Sequence, residues 1–212
     1  MTTERRTFKG SVEVRSESGS QVAVGYAARF DALSQNLGGF VERIEPRAFN
    51  QTVVEADVRA LFNHDANFVL GRKSAGTLRM DVDEQGLRYE IDLPDTATGR
   101  DLGVLLKRGD ISGSSFGFRV LDDEWGETDD GFPLRTLKNV ALRDVGPVTF
   151  PAYTAAESAL RSLAEARSLD LDVLIEAAGR NELRQAMTHT DHEEVTQAKP
   201  SPIFTRRSRG VA

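Results

Sequence analysis

The segment LFNHD, residues 61–65, contains His64, the one histidine in the part of the sequence that reads as a folded body. The other two histidines, His189 and His192, lie in a polar C-terminal stretch. A histidine at the end of an apolar strand either donates to a backbone carbonyl or serves as the base of an active site. Residue type alone leaves both interpretations open.

Candidate nucleophiles are concentrated in the segment DISGSSFGF, residues 110–118, which holds Ser112, Ser114 and Ser115. A serine nucleophile needs a base, and at neutral pH that base is usually histidine. Small residues before an aromatic strand let backbone N–H groups come close to a serine and hold an oxyanion. The same letters also fit an ordinary Gly/Ser turn that leads into a strand.

Two carboxylates are candidates for orienting His64. Asp65 is its immediate neighbour, but adjacent strand residues point to opposite faces, so Asp65 is poorly placed. Asp144 lies in LRDVGPVTFPA, residues 142–152, where a carboxylate buried among apolar residues needs a partner. An exposed edge position is the alternative interpretation for Asp144.

Composition argues against several other classes of function. The 212 residues contain no cysteine, which removes disulfides, thiolate metal sites and cysteine nucleophiles. A net charge of −6 without an obvious basic face argues against nucleic acid as the main partner. His189 and His192 have the spacing of a metal pair, but the polar tail offers no assured further ligand. The sequence therefore predicts neither a metal nor a cofactor.

The sequence also gives an expectation about location. The N-terminus lacks the apolar core of a signal peptide. No run approaches the ~18 apolar residues that a membrane span needs. We therefore expect a cytoplasmic protein with no membrane partner.

Alternating apolar and polar residues predict a body rich in strands. Predicted strands cover 8–15, 22–30, 58–62, 78–82, 87–93, 114–120, 134–142 and 145–150. Helices are predicted at about 45–56 and at 96–108, the second ending at Gly109, and 122–131 is predicted as an acidic loop. The pattern favours mainly β structure with flanking helices, in one antiparallel sheet or barrel of about seven strands.

Composition divides the chain into three parts. Residues 1–153 are the predicted β-rich domain. Residues 154–187 are rich in Ala, Leu, Glu and Arg and predict a helical appendix, whose apolar stripes suit the binding of another protein. Residues 188–212 are polar and are predicted to be a disordered tail.

Three segments in this order resemble the prohead maturation serine proteases of tailed bacteriophages. They are LFNHD followed by VLGR at 69–72, RGDISGSSFGF at 108–118, and LRDVGPVTFPAY at 142–153. The resemblance covers roughly residues 8–155. That family is similar to the herpesvirus assemblins, which implies an assemblin-like antiparallel β-barrel ringed by helices and a serine endopeptidase activity.

The resemblance also implies a catalytic triad. The family's histidine falls on His64, its serine on Ser115 and its third member, usually a glutamate, on Asp144. Ser114 stands where the family commonly has methionine, so the choice between the two serines stays open. Asp144 is one methylene shorter than glutamate and needs a closer strand or a water molecule to reach His64.

The same resemblance implies a substrate, which is the scaffolding segment of the major capsid protein or a separate scaffold protein. Cleavage would take place inside the immature capsid in the host cytoplasm. Self-cleavage in the tail after Thr188 and a homodimer follow by analogy. Two other classes of function remain alternatives: a non-catalytic scaffold or capsid-assembly protein on the same fold, and a small ligand-binding β-barrel.

Overall fold

The computed structural model describes residues 3–9, 12–17, 19–30, 32–150 and 156–187. Within these residues the strands are β1 (Glu4–Lys9), β2 (Glu13–Glu17), β3 (Ser20–Arg29), β4 (Val41–Ile44), β5 (Arg59–Leu61), β6 (Val69–Arg72), β7 (Leu78–Val82), β8 (Gly86–Asp92), β9 (Gly113–Glu127) and β10 (Pro133–Val148). The helices are α1 (Asn50–Glu55), α2 (Ala97–Arg108), α3 (Ala156–Arg167), α4 (Leu171–Gly179) and α5 (183–187), with short 3-10 turns at Pro46–Phe49 and Lys73–Ala75. The fold is α+β with strands in the majority, which confirms that part of the prediction.

The strands form two sheets. The larger sheet has the order β1-β9-β10-β5-β6, with β4 also paired to β10, and the smaller sheet has the order β2-β3-β8-β7. Most neighbours are antiparallel, but β4 and β5 run parallel to β10. The predicted antiparallel barrel of about seven strands therefore differs from the observed fold. Among the described residues no pairing joins β6 back to β1, because both lie at edges and each pairs with a single neighbour.

The inner faces of the two sheets share one apolar core. Phe116 and Phe118 of β9 are fully buried there, together with Tyr89 and Ile91 of β8. Strand residues alternate between two faces, so every second side chain of β9 points away from this core. The outer face of the larger sheet is therefore where a polar residue of β9 such as Ser115 is presented.

Helix α2 agrees with the pattern that predicted it. Thr96 accepts a hydrogen bond from the Gly99 N–H at the first turn, and Gly109 ends the helix with φ 81°. A residue with positive φ after a helix is most often glycine, because glycine has no Cβ to clash. The buried residues Leu102 and Leu106 attach α2 to the core.

The predicted acidic loop at 122–131 is wrong in most of its length. Strand β9 continues to Glu127, and β10 begins at Pro133. Trp125 is buried against Phe40, and Asp123 pairs with Arg135. These tertiary contacts keep the segment in a strand, although its polar residues are typical of a loop. The two strands predicted at 134–142 and 145–150 are one strand with an irregularity between Leu142 and Asp144.

Helices α3 to α5 pack on the body through a second apolar cluster. Its helix residues include Leu160, Leu163, Leu174 and Leu183, and its body residues are Leu37, Phe40 and Trp125. The apolar stripes that suit binding to another protein are thus largely used within the chain. The predicted tail, 188–212, lies outside the described residues, as do His189 and His192. None of the described helices is long and apolar enough to cross a membrane.

Candidate active site

Ser115 lies on β9, between β1 and β10. Its Cα partners are Thr7 on β1 and Gly146 on β10. Ser115 faces away from the core, whereas Ser114 points inward, where its hydroxyl donates to Tyr89 Oη at 3.0 Å. The alternation of the strand therefore separates the two serines, and Ser115 is the one beside the histidine. The third candidate, Ser112, is exposed in the segment before β9.

His64 lies at the apex of a tight turn after β5. Asn63 and His64 both have positive φ, 54° and 58°, and the Asp65 N–H donates to the Phe62 carbonyl at 3.1 Å. Positive φ is uncommon for residues other than glycine, and asparagine adopts it more readily than most. An Asn at the first of two such positions is typical of the tight turns that reverse a strand.

Asn63 fastens this turn to the end of β10. Its backbone N–H donates to the Pro147 carbonyl at 3.0 Å. Its side chain donates to Thr149 Oγ1 at 3.1 Å and accepts from the Thr149 N–H at 2.8 Å. These three bonds fix the turn relative to the sheet and thereby set the position of His64. Asn63 was not predicted as part of the site, although an Asn before a His at a strand end is a signal for such a turn.

His64 joins Ser115 and Asp144 in one hydrogen-bonded chain. His64 Nε2 is 2.6 Å from Ser115 Oγ, and His64 Nδ1 is hydrogen-bonded to Asp144 Oδ1. The side chains of His64 and Asp144 are 8% and 13% exposed, so the pair is largely shielded from water. A carboxylate at Nδ1 favours the tautomer with its proton on Nδ1, which leaves the Nε2 lone pair facing the serine hydroxyl.

The close approach of Asp144 depends on a glycine opposite it. Asp144 and Gly117 are Cα partners in the pairing of β10 with β9. A Cβ placed on Gly117 would lie 2.5 Å from Asp144 Oδ2. The carboxylate thus lies directly over the bare backbone of β9. The shorter aspartate reaches His64 without a water molecule because no side chain separates it from the sheet.

Asp65 is not part of the hydrogen-bonded chain. Its carboxylate accepts hydrogen bonds from the backbone N–H and the side-chain amide of Asn67, at 2.8 and 2.9 Å. This bonding shapes the loop between His64 and β6. The structure therefore assigns Asp65 to the loop and Asp144 to the imidazole.

The Ser115 hydroxyl has two further neighbours on β1. Ser115 Oγ donates to the Arg6 carbonyl at 2.8 Å, and Thr7 Oγ1 lies 3.4 Å from the same oxygen. Because a hydroxyl has one proton, the Arg6 carbonyl and His64 Nε2 compete for it. Ser115 is also 0% exposed in this state. Strand β1 could not be predicted as part of the site, because the pairing of Thr7 with Ser115 joins residues far apart in the chain.

The backbone N–H groups of residues 113–117, expected to hold an oxyanion, do not lie in a free turn. These residues belong to β9 and pair with β1 on one side and β10 on the other. Backbone N–H groups inside a strand paired on both sides are used in the sheet. Gly146 lies opposite Ser115 on β10, and a Cβ placed there would clash with the Leu61 carbonyl oxygen.

A cavity of about 480 Å³ lies on the Asp144 side of this arrangement. Leu61, Val69 and Leu142 give it apolar walls, and Asp57, Arg59 and Arg143 give it charged ones. Asp144 is the one member of the hydrogen-bonded chain among the residues that line this cavity, so the cavity lies beside the carboxylate and not over Ser115. Over the described part of the chain, no group of three or more His, Asp or Glu residues could hold a metal ion.

A serine, a histidine and a carboxylate joined in this order are the arrangement found in serine hydrolases, where geometry rather than chain order defines the site. The profile of the caudovirus prohead serine protease family matches residues 10–169. This chain belongs to that family.

A solved structure of the bacteriophage T4 capsid assembly protease, gp21, is also similar to this chain. The likeness covers 69% of this chain and 97% of that chain, at 13% sequence identity and a TM-score of 0.49. Comparison with curated proteins finds no match.

Proposed function

We propose that this chain is a serine endopeptidase in which Ser115 is the nucleophile, His64 the general base and Asp144 the carboxylate that orients His64. The observation that carries the proposal is the 2.6 Å approach of His64 Nε2 to Ser115 Oγ, with Asp144 bonded to the opposite ring nitrogen. Three residues from distant parts of the sequence meet in the order that acyl transfer requires.

In the proposed reaction His64 Nε2 takes the proton of Ser115 as the hydroxyl oxygen attacks a peptide carbonyl carbon. The resulting imidazolium is stabilised by Asp144, and it then protonates the leaving amine. The same histidine then deprotonates a water molecule that attacks the acyl carbon. The ester bond to Ser115 Oγ breaks, His64 returns the proton to that oxygen, and the second product leaves as a carboxylate. The proton therefore passes only between Ser115, His64, the leaving amine and water.

Access to Ser115 requires movement. A reacting carbonyl carbon has to come within ~3–3.5 Å of the nucleophile, and a fully buried hydroxyl leaves no room for it. Two elements cover the hydroxyl, β1 through Arg6 and Thr7 and the turn that carries His64. Displacement of β1 would open the site while His64 stays beside Ser115. The hydroxyl, released from the Arg6 carbonyl, would then donate its proton to His64 Nε2 alone.

The proposed substrates are the scaffolding segment of the major capsid protein or a separate scaffold protein, cut inside the immature capsid in the host cytoplasm. Family membership supports this choice. Self-cleavage in the tail after Thr188, a homodimer and kinship with the herpesvirus assemblins belong to the same proposal. We also propose that residues 1–153 are the protease domain and 154–187 an appendix packed on it.

Ser115→Ala tests the proposal, and Ser114→Ala is its matched control. Each variant is co-expressed with the major capsid protein of the same phage, and the products are analysed by gel and intact mass. Loss of a nucleophile costs ~10⁴-fold or more in turnover, so Ser115→Ala should abolish the shortened products. Ser114→Ala should retain them, because its hydroxyl lies on the core side of β9.

The outcomes separate the enzyme from the alternatives. Unchanged processing by Ser115→Ala would show that the proteolysis does not come from this serine. If capsids assemble normally while the major capsid protein stays uncut, the chain is better explained as a non-catalytic assembly protein. The intact mass of the purified wild-type chain over time shows self-cleavage, which should be absent from Ser115→Ala.

A further inference from the structure

Three exposed arginines lie side by side on the outer face of the larger sheet. Arg5 is on β1, Arg119 on β9 and Arg143 on β10. The sequence shows no basic face here because these residues are far apart in the chain and meet only through strand pairing. We refer to Arg5, Arg119 and Arg143 as the arginine strip.

The register fixes the side of the sheet on which Arg5 lies. Arg5 is the Cα partner of Gly117, and residues opposite each other in a sheet point to the same face. That face carries the carboxylate of Asp144, which lies over Gly117. The neighbours of Arg5, Glu4 and Arg6, are buried on the other face.

Arg119 and Arg143 share this face. Arg119 is exposed while the preceding Phe118 is buried, so the alternation of β9 places it with Ser115 and Gly117. Arg143 lies at the irregularity of β10, and its Nη1 donates to Thr3 Oγ1 at 2.8 Å. Since Thr3 precedes β1, the Arg143 side chain extends from β10 across β9 to the β1 side.

The arginine strip lacks carboxylate partners. Among the described residues no Asp or Glu oxygen lies within the 4.0 Å of an ion pair from any of its three guanidinium groups. Four other arginines of this sheet do have carboxylate partners: Arg59 and Arg72 both pair with Asp57, and Arg6 and Arg135 are buried in ion pairs. Three neighbouring positive charges are therefore left for an external anion, in a chain whose net charge is −6.

The strip begins next to the reaction centre. Thr7 is opposite Ser115, and Arg5 is two residues further along the same strand, which is roughly 7 Å at the rise of a β-strand. Arg119 is four residues from Ser115 on β9, roughly 13 Å away by the same rise. The Asp144 carboxylate covers β9 at Gly117, so the open path runs on the β1 side. A peptide with its scissile bond at Ser115 that passes over Arg5 and continues toward Arg119 would place its neighbouring side chains over the strip.

We propose that the arginine strip is a subsite for acidic side chains of the peptide substrate, on one side of the scissile bond. This inference rests on the proposed protease function and adds a substrate class to it. Guanidinium groups bind carboxylates through paired, charge-assisted hydrogen bonds, which give both affinity and orientation. The strip suits a peptide better than single-stranded nucleic acid because its neighbours on this face, Gly117 and Ala141, offer no aromatic ring for base stacking.

Peptide binding to the Ser115→Ala chain tests this subsite without requiring catalysis. The probe is a fluorescein-labelled octapeptide that alternates glutamate with alanine, and its glutamine counterpart is the matched peptide. The triple variant R5Q/R119Q/R143Q removes the strip. The control variant R15Q/R47Q/R100Q removes the same charge from exposed arginines of other elements.

We expect the glutamate peptide to bind at least about tenfold more weakly to the strip variant than to its parent, and the control variant to match the parent. The glutamine peptide should bind the parent chain more weakly than the glutamate peptide does, by a similar factor. Added salt should weaken the binding of the glutamate peptide. Equal binding of the two peptides, or equal binding to the strip and control variants, would overturn the subsite. Oligothymidine of the same length serves as a nucleic-acid probe. If it binds more tightly than the glutamate peptide and through the same arginines, the acidic-peptide subsite is overturned in favour of a nucleic-acid site.

These outcomes are independent of the test of proteolysis. If the peptide shows no dependence on the strip while capsid processing still requires Ser115, the subsite alone is wrong. If the peptide binds through the strip but processing does not require Ser115, the proposed protease is wrong and the strip is an acidic-peptide site of another function.

Discussion

At the scale of single residues, the hydrogen bond between Asp144 and His64 Nδ1 favours the tautomer with its proton on that nitrogen. Replacing Asp144 with asparagine keeps its size but removes the charge that stabilises an imidazolium, and its amide group can donate to Nδ1 and favour the wrong tautomer. We expect Asp144→Asn to lower kcat by ~10⁴-fold with a smaller effect on KM. Turnover of a capsid-derived peptide by the purified chain is the measurement.

Asp65→Asn is the matched control for this prediction. Asp65 is adjacent to His64 in sequence, but its carboxylate accepts from Asn67 and shapes the loop. Asn67 can still donate to the amide oxygen of an asparagine at 65, so kcat should stay within about a few-fold of the wild-type value. An equal loss in both variants would show that the loop, rather than the charge at 144, controls the activity.

At the scale of elements, the site depends on the close contact of β9 with β10. The missing side chain at Gly117 makes room for the Asp144 carboxylate, and a Cβ there would lie 2.5 Å from Oδ2. Gly117→Ala should displace this carboxylate from His64 while leaving the strand pairing intact. We expect kcat to fall by ~10²-fold or more, since small misplacements of catalytic groups have effects of that size.

Gly126→Ala is the control on the same strand. No atom lies within 4 Å of a Cβ at Gly126, so the methyl group meets open space. Both variants should keep the far-UV circular dichroism of the wild type, and only Gly117→Ala should lose turnover. Normal turnover in Gly117→Ala would mean that the Asp144 carboxylate can reach His64 by another path.

Local patterns predicted the elements whose determinants are close in sequence. The hairpin of β7 and β8 and the helix α2 follow from alternating residues, a turn cluster and a glycine stop. The second half of β9 was predicted as a loop because its acidic residues are stabilised by partners far away, such as Arg135 for Asp123. Strands β4 and β6, four residues each, were missed because such short segments have little alternation to detect.

The candidate site was predictable to a similar extent. The family resemblance selected His64, Ser115 and Asp144, and the structure brings these three together. The resemblance left Ser114 open beside Ser115, because the observed alternation of β9 is what separates the two hydroxyls. Strand alternation made Asp65 a poor candidate, and the structure places Asp65 in the turn after Asn63 instead of in a strand. The contact of Ser115 with the Arg6 carbonyl required the register of β1 on β9, which no local pattern determines.

At the scale of the whole molecule, a buried ionic network joins four strands on the core side of the site. Arg6 of β1 binds Glu42 of β4 through two hydrogen bonds of 2.7 Å. Arg135 of β10 binds Glu4 of β1 at 2.9 Å and Asp123 of β9 at 2.6 Å. Since the Arg6 carbonyl also accepts from Ser115, the network helps to hold β1 against Ser115.

Arg135→Met tests the contribution of this network to stability. Arg135 is 0% exposed, and its removal leaves Arg6 as the guanidinium that Glu4 and Glu42 share. Breaking a buried ion pair from one side typically lowers the free energy of unfolding by ~3–5 kcal/mol, because the remaining charges stay buried without compensation. Arg79→Met is the control, since Arg79 pairs with Asp92 at the surface, where such pairs contribute ~0–1 kcal/mol. Urea unfolding followed by far-UV circular dichroism measures both, and similar midpoints for the two variants would show that the buried charges are solvated or compensated in another way.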